Sequence, residues 1–146
     1  MSRVIKFDPH RILALVAFLF SGSLSAANYN GDWFDNGSGL KRIGDLTVSD
    51  KAITIKKFST YSVALDSKDG DVNIYKVLKA NTKKDPLGCG PDSKVNYIII
   101  HSLPSITGLE ERAIRLIFYG RSTAPKMKGI NDDPGVCAVY SFGINP

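Results

Sequence analysis

Apolar and polar residues alternate along most of this chain in short segments, set apart by turn-forming residues at intervals of roughly ten positions. The first such segment runs from Tyr29 to Phe34 and ends in Asp35-Asn36-Gly37-Ser38-Gly39. The second runs from Lys41 to Val48, with Ile43, Leu46 and Val48 apolar, and closes at Ser49-Asp50-Lys51. From Ala52 to Phe58, Ile53 and Ile55 occupy one face and Thr54 and Lys56 the other, the period of two that marks a half-buried strand. Tyr61 to Leu65 and Val72 to Leu78 flank Ser67-Lys68-Asp69-Gly70-Asp71, whose Asp-Gly pair offers the positive-φ residues of a hairpin turn. On the second arm Val72, Ile74 and Leu78 are assigned to one face, interrupted by Lys76.

A long polar loop follows from Asn81 to Ser93, with Pro86, Gly88, Cys89, Gly90 and Pro91. Lys94 to Ser102, centred on Tyr97-Ile98-Ile99-Ile100, is apolar on both faces, which predicts a strand covered on both sides or an interface. Arg112 to Tyr119 sets Ile114, Leu116 and Phe118 against Ala113, Arg115 and Tyr119 and leaves Ile117 out of pattern. Val136 to Gly143 puts Val136, Ala138, Tyr140 and Phe142 on one face. Thr107 and Glu110 form a capping box, and Leu109, Ala113, Leu116 and Ile117 also fall at helical spacing. The expectation is a short helical turn over 107–112 leading into a strand, because a longer helix would discard the Ile114/Leu116/Phe118 alternation. Short strands and regular turns without a long helix predict an all-β single domain. Its architecture is an antiparallel barrel or a sandwich of about eight strands.

The first 26 residues follow a different pattern. Arg3, Lys6 and Arg11 precede an unbroken apolar run, Ile12 to Phe20, and then Ser21-Gly22-Ser23-Leu24-Ser25-Ala26. A positive start, a short apolar centre and a small-residue exit are the parts of a secretory signal peptide. The run is far shorter than the roughly 20 residues a membrane-crossing helix needs. Residues 1–26 are therefore expected to be removed, by cleavage after Ala26 or Ala27, leaving a β-barrel-like domain over 27–146. Neither bond is followed by Cys, so a lipid anchor is not expected.

Removing the leader takes away Arg3, Lys6, Arg11 and Asp8, so the formal charge falls from +5 to +3. That mild excess suits anionic neighbours such as cell-wall polymers or lipid head groups but carries no nucleic-acid signature. Export also makes Cys89 and Cys137 a disulfide candidate that would tie the middle of the chain to the last strand. Free thiols or a metal site are the alternatives, yet with His101 the sole histidine after the leader a Cys/His zinc set cannot be filled.

Gly31-Asp32-Trp33 stands on the opening strand, and Trp33 is the only tryptophan. A Gly-x-Trp there, ahead of a meander of short strands, resembles the lipocalin and avidin group of small barrels. The resemblance implies that Trp33 closes one barrel end and that a late-strand cation, Arg115 or Arg121, packs over its ring. It also implies a mouth beside Trp33, Tyr97 or Phe118 that takes a small apolar ligand. An ordinary core role for Trp33 is the competing reading.

Other chemistry is thin. Asp69 to Ala80 fails the calcium-loop pattern twice, with Ile74 where Gly and Ala80 where Glu would be needed. Asn131-Asp132-Asp133-Pro134-Gly135 is turn chemistry. His101 has no Gly-x-Ser-x-Gly elbow to serve, and Glu110 and Glu111 would diverge on a strand. Lys76, Lys79, Lys83 and Lys84 form a candidate anionic-polymer surface near Tyr75 and Tyr97. The expectation is a non-catalytic exported binding protein of the bacterial envelope, in the periplasm or secreted, with no cofactor or metal. Its partner would be an envelope protein or cell-wall polymer, in an inhibitor, immunity or accessory role. A lipocalin-like carrier of a small apolar ligand is the alternative. Long loops at 81–93 and 120–135 are expected to supply the binding surface.

Overall fold

The computed structural model describes residues 27–35, 43–56, 58–82, 89, 94–104 and 112–144. Strands β1 (Gly31–Asp35), β2 (Leu46–Val48), β3 (Ala52–Ile55), β4 (Ser59–Asp69), β5 (Val72–Thr82), β6 (Tyr97–Leu103), β7 (Ala113–Tyr119) and β8 (Val136–Gly143) form a closed barrel. Each strand pairs antiparallel with the next in sequence. Phe34 opposite Gly143 and Asp35 opposite Phe142 join β1 to β8. Closure leaves no exposed outer strand, the reason a meander of this length becomes a barrel and not a sandwich. The helical turn expected over 107–112 falls almost wholly outside the described residues.

Inward positions follow the period of two. Trp33, Leu46, Val48, Ile53, Ile55, Tyr61, Val63, Tyr75, Ile98, Ile100, Ile114, Leu116, Phe118 and Phe142 form one buried cluster. The polar partners in the alternation face out: Thr47 beside Asp32, and Thr54 opposite Thr60. Along β2 to β4 the wall is thus apolar inside and polar outside.

One face and one turn differ from the sequence reading, and on β5 the apolar face proves to be the outer one. On β5 the inward residues are Asn73, Tyr75 and Val77, while Val72, Ile74 and Lys76 point out. Asn73 pairs with inward Ile100, and Tyr75 with inward Ile98. On β8, Ala138, Tyr140 and Phe142 face in, but a register shift at Phe118/Tyr119 sends Val136 outward. The β4–β5 hairpin turns over Gly70 and Asp71 alone, because Asp69 pairs with Val72 and Gly70 adopts φ 57°. Pairing with β3 ends at Ser62, so Ala64 to Asp69 are exposed and pair with β5 alone.

Outside the wall a second apolar cluster forms from Ile74, Tyr97, Ile99, Ile117, Tyr119 and Ile130, with Val72, Met127 and Val136 against it. The loop between β7 and β8 covers it, dropping Ile130 onto the sheet from a 3₁₀ turn at Ile130–Asp132. This explains why β6 is apolar on both faces and why Ile117 breaks the alternation.

Candidate functional site

The strand registers place Gly31, the Val48–Ala52 turn, Gly70, Leu103, Ala113 and Gly143 at one end of the barrel, here the floor. Residues 27–30 run beneath it. Tyr29 is buried, and its hydroxyl donates to the Asp71 carbonyl. The Trp33 indole Nε1 donates to the Tyr29 carbonyl at 2.9 Å, and the two rings lie 6.4 Å apart at a tilt. Asn73 Nδ2 donates to the Ala27 carbonyl at 3.3 Å and to the Tyr75 hydroxyl at 3.1 Å. Ser102 Oγ donates to Asp71 Oδ2 at 2.7 Å, and Asn30 Nδ2 to Asp50 Oδ1 at 2.8 Å. Burial raises the pKa of both Tyr29 and Tyr75, keeping their hydroxyls protonated. Trp33 thus belongs to a sealed floor.

Above the floor the interior is crowded. Tyr61, Phe118, Phe142, Leu46, Ile53, Ile55, Ile98, Ile100, Ile114 and Leu116 are each under 2 % exposed, so a water-sized probe finds almost no surface on them. The Tyr61 and Phe118 rings lie 5.6 Å apart, and Phe118 meets Tyr140 edge-on at 6.0 Å. Eight strands enclose a space that side chains of this size fill. At the opposite rim an open groove of about 260 Å³ is lined by Thr54, Ile55, Lys56, Phe58, Ser59, Thr60 and Asn81. That is below the roughly 300–1,000 Å³ usual for small-molecule sites, and much of its edge is polar.

The residues expected to gather around Trp33 do not. Phe118 is inside the barrel, but Tyr97 faces out into the second cluster, 6.4 Å from Tyr119. Arg115 alternates with inward Ile114 and Leu116 and therefore lies on the outer wall, across the sheet from the indole. Arg121 is also outside, 3.9 Å from Asp133. The stacking of either cation on Trp33 is thus corrected by strand alternation itself. Lys76 and Lys79 are exposed on the outer face of β5, held to that face by register shifts in the hairpin; Lys83 and Lys84 lie outside the described residues.

The loop over 120–135 acts as a lid through Ile130 and Met127, while most of its other residues stay exposed. Asp133 Oδ1 accepts from the Gly135 N–H at 2.7 Å and Oδ2 from the Tyr119 hydroxyl at 3.1 Å. The Gly135 amide does most to lower the Asp133 pKa, with the Tyr119 hydroxyl and Arg121 adding to it. Burial and then the Asp133 carboxylate raise that of Tyr119. Cys89 and Cys137 are joined as a disulfide, as expected, with Cα atoms 4.7 Å apart. A side chain at Gly120 would meet Cys137 Sγ at 3.0 Å, so the start of the lid is pinned where the chain crosses the bridge.

Among the described residues, one part of the outer wall has no loop over it. Below the second cluster, Val72, His101, Arg115 and Ser141 stand side by side on β5 to β8. His101 Nδ1 lies 3.2 Å from the Ser102 carbonyl. Arg115 Nε is buried and has no acceptor, and the ion pairs among the described residues, Lys56–Asp45 and Arg121–Asp133, do not include this guanidinium. On the same outer wall Val139 (46 % exposed) lies two positions before Ser141 on β8, and Phe34 (42 % exposed) stands on β1 opposite Gly143. Sequence reasoning misses this row because it assigns Arg115 to the barrel end. The available signal is the charge at an outward position between apolar neighbours.

Among the described residues no group of three or more His, Cys, Asp and Glu could hold a metal ion, and no helix is long and apolar enough to cross a membrane. Comparison of the chain with protein-family models, curated proteins and solved structures finds no match.

Proposed function

We propose that this barrel is an exported, non-catalytic protein of the bacterial envelope that binds another protein through the outer wall of β6 to β8 and β1. The observation that carries the reading is Arg115: a guanidinium whose buried Nε lacks an acceptor, on the same outer wall as exposed Val139 and Phe34. A buried donor left unpaired costs about 1–3 kcal/mol, a cost that turning the guanidinium outward to an incoming carboxylate would remove. Guanidinium and carboxylate match as a two-pronged pair, and the net charge of +3 after loss of the leader favours approach of an acidic partner. The partner is therefore a protein presenting an Asp or Glu between apolar residues, in an inhibitory, immunity or accessory role. The disulfide fits the oxidising periplasm or the exterior.

Kinship with the lipocalin and avidin group is part of the proposal, supported by the closed eight-strand meander and by Trp33 at the sealed end. The carrier role of that group is set aside because the interior is filled by Tyr61, Phe118 and Phe142.

The test is site-specific crosslinking in the envelope. A photoreactive residue at Val139 is expected to capture a protein, the same residue at Thr60 on the opposite wall is not, and Arg115→Glu is expected to abolish the Val139 product. Equal capture from both positions, or an unchanged yield with Arg115→Glu, would sink the proposal. A stoichiometric apolar small molecule in native mass spectra of the purified protein would restore the carrier reading.

A further inference from the structure

At the barrel floor Asn73 is only 2 % exposed, and its amide nitrogen has acceptors while its Oδ1 has no donor. Turning the amide over would not cure this, because the Ala27 carbonyl would then face an oxygen. A buried acceptor without a donor is rare in a settled structure and calls for a missing group. A candidate donor is the backbone nitrogen of Ala27, on the same residue whose carbonyl Asn73 already holds. Within a continuous chain that nitrogen is a planar amide with one N–H in a fixed direction. As a chain terminus it becomes an ammonium with three donors, free to rotate toward the side chain.

We infer that signal peptidase cuts the chain between Ala26 and Ala27, and that the α-ammonium made by the cut donates to Asn73 Oδ1 and completes the barrel floor. The reaction is a hydrolysis: water adds across the peptide bond, Ala26 leaves with the leader as a carboxylate, and the Ala27 nitrogen gains protons to become the ammonium. The small-residue pattern alone points the other way. A cut after Ala27 would place Ser25 and Ala27 at the recognition positions, whereas a cut after Ala26 places Leu24 there with Ala26. The structure decides against the later cut because it would delete the carbonyl that Asn73 binds and leave more of that buried amide unpaired. Tyr29 and Trp33 reinforce the point: Tyr29 is fastened to Asp71 and Trp33 to Tyr29, so the segment beginning at Ala27 is built into the floor.

The inference rests on the leader reading, and the experiment separates the two. The full chain is exported from a bacterial host and its N-terminus read by sequencing and intact mass. A chain beginning at Ala27 is expected. One beginning at Asn28 or elsewhere overturns the inference and keeps the leader; an uncut chain overturns the leader reading itself. Residues 27–146 are then prepared with Ala27 free or N-acetylated. The free form is expected to melt higher by about 4 °C, the shift that one added buried hydrogen bond produces in a domain of this size. Asn73→Ala is expected to erase the difference; should that variant not fold, Asn73→Asp is expected to widen it. Equal melting of the free and acetylated forms, or a gap indifferent to residue 73, overturns the ammonium contact wherever the cut falls.

Discussion

The wall of this barrel is one layer thick along β2 to β4 and two layers thick along the upper part of β5 to β8. On the thin side the outward residues are Thr47, Thr54, Thr60 and Ser62, which need nothing above them. On the thick side Ile74, Tyr97, Ile99, Ile117 and Tyr119 face outward and are buried beneath the lid. The same rule of alternation operates on both, but on the thick side it distributes apolar residues to both faces. The lid is what makes that composition compatible with an outer surface. Where it stops, the row of Val72, His101, Arg115 and Ser141 begins, and the proposed partner would extend the cover downward along the same wall.

The thick side should therefore carry more of the stability than its strand count suggests. Replacing both cysteines by Ala frees the lid's base and restores denatured-chain entropy. For a separation of 48 residues the loop estimate is about 4 kcal/mol, measurable by urea unfolding of oxidised and double-Ala protein. A loss below about 1 kcal/mol, well short of that estimate, would show that the bridge merely decorates a wall held by other means.

Within the wall, Ile99→Ala and Ile117→Ala should each cost about 2–5 kcal/mol although they face away from the barrel interior. Thr60→Ala, on the outward face of the thin side, should stay within about 0.5 kcal/mol. Equal effects at Ile99 and Thr60 would mean the second cluster contributes no packing. A smaller step is expected at Gly135, where an added Cβ would stand 2.6 Å from Tyr119 Cε2 and 2.7 Å from its Cζ. Gly135→Ala should cost about 1–3 kcal/mol and loosen the lid first, read as faster amide exchange over 120–135 than in the inner strands.

The same contrast explains which features the amino-acid pattern reveals and which it hides. Ile53/Ile55 and Leu46/Val48 are legible because their alternate positions are polar, so the buried face identifies itself. On β5 the pattern is equally regular, but Val72 and Ile74 belong to the outer cluster while Asn73, a polar residue, faces in. Periodicity of two says which residues share a face and is silent on which face has the larger core. Val136 escapes the pattern through a register shift, a one-residue event with no signature in composition. The hairpin turn reads too long because Ser67, Lys68 and Asp69 are polar and exposed on a strand that pairs there with β5 alone, which looks like loop in one dimension. The disulfide is legible from compartment and even count. The floor is not, since its contacts join Ala27 and Tyr29 to residues more than forty positions away.

The smallest expected effects are in pH dependence, and they should separate lid from floor. The Asp133 carboxyl is held below its ordinary value near 3.8, chiefly by the Gly135 N–H. A depressed carboxyl contributes stability that is present above the unfolded value and lost as pH falls through the folded one, so this contribution fades below about pH 4. In that window the Tyr119 ring signals in NMR should shift while those of Tyr29 and Tyr75 stay, and Asp133→Asn should remove the step. On the alkaline side the hydroxyls of Tyr119, Tyr29 and Tyr75 all titrate above the ordinary 10.0, mainly through burial. A raised hydroxyl contributes stability that is complete below 10 and lost as pH rises through the folded value, so lid and floor should loosen together there. An acid step seen equally at Tyr29 would mean that the lid and the floor are one cooperative unit, and the two-layer wall would then be a description of packing without a separate stability of its own.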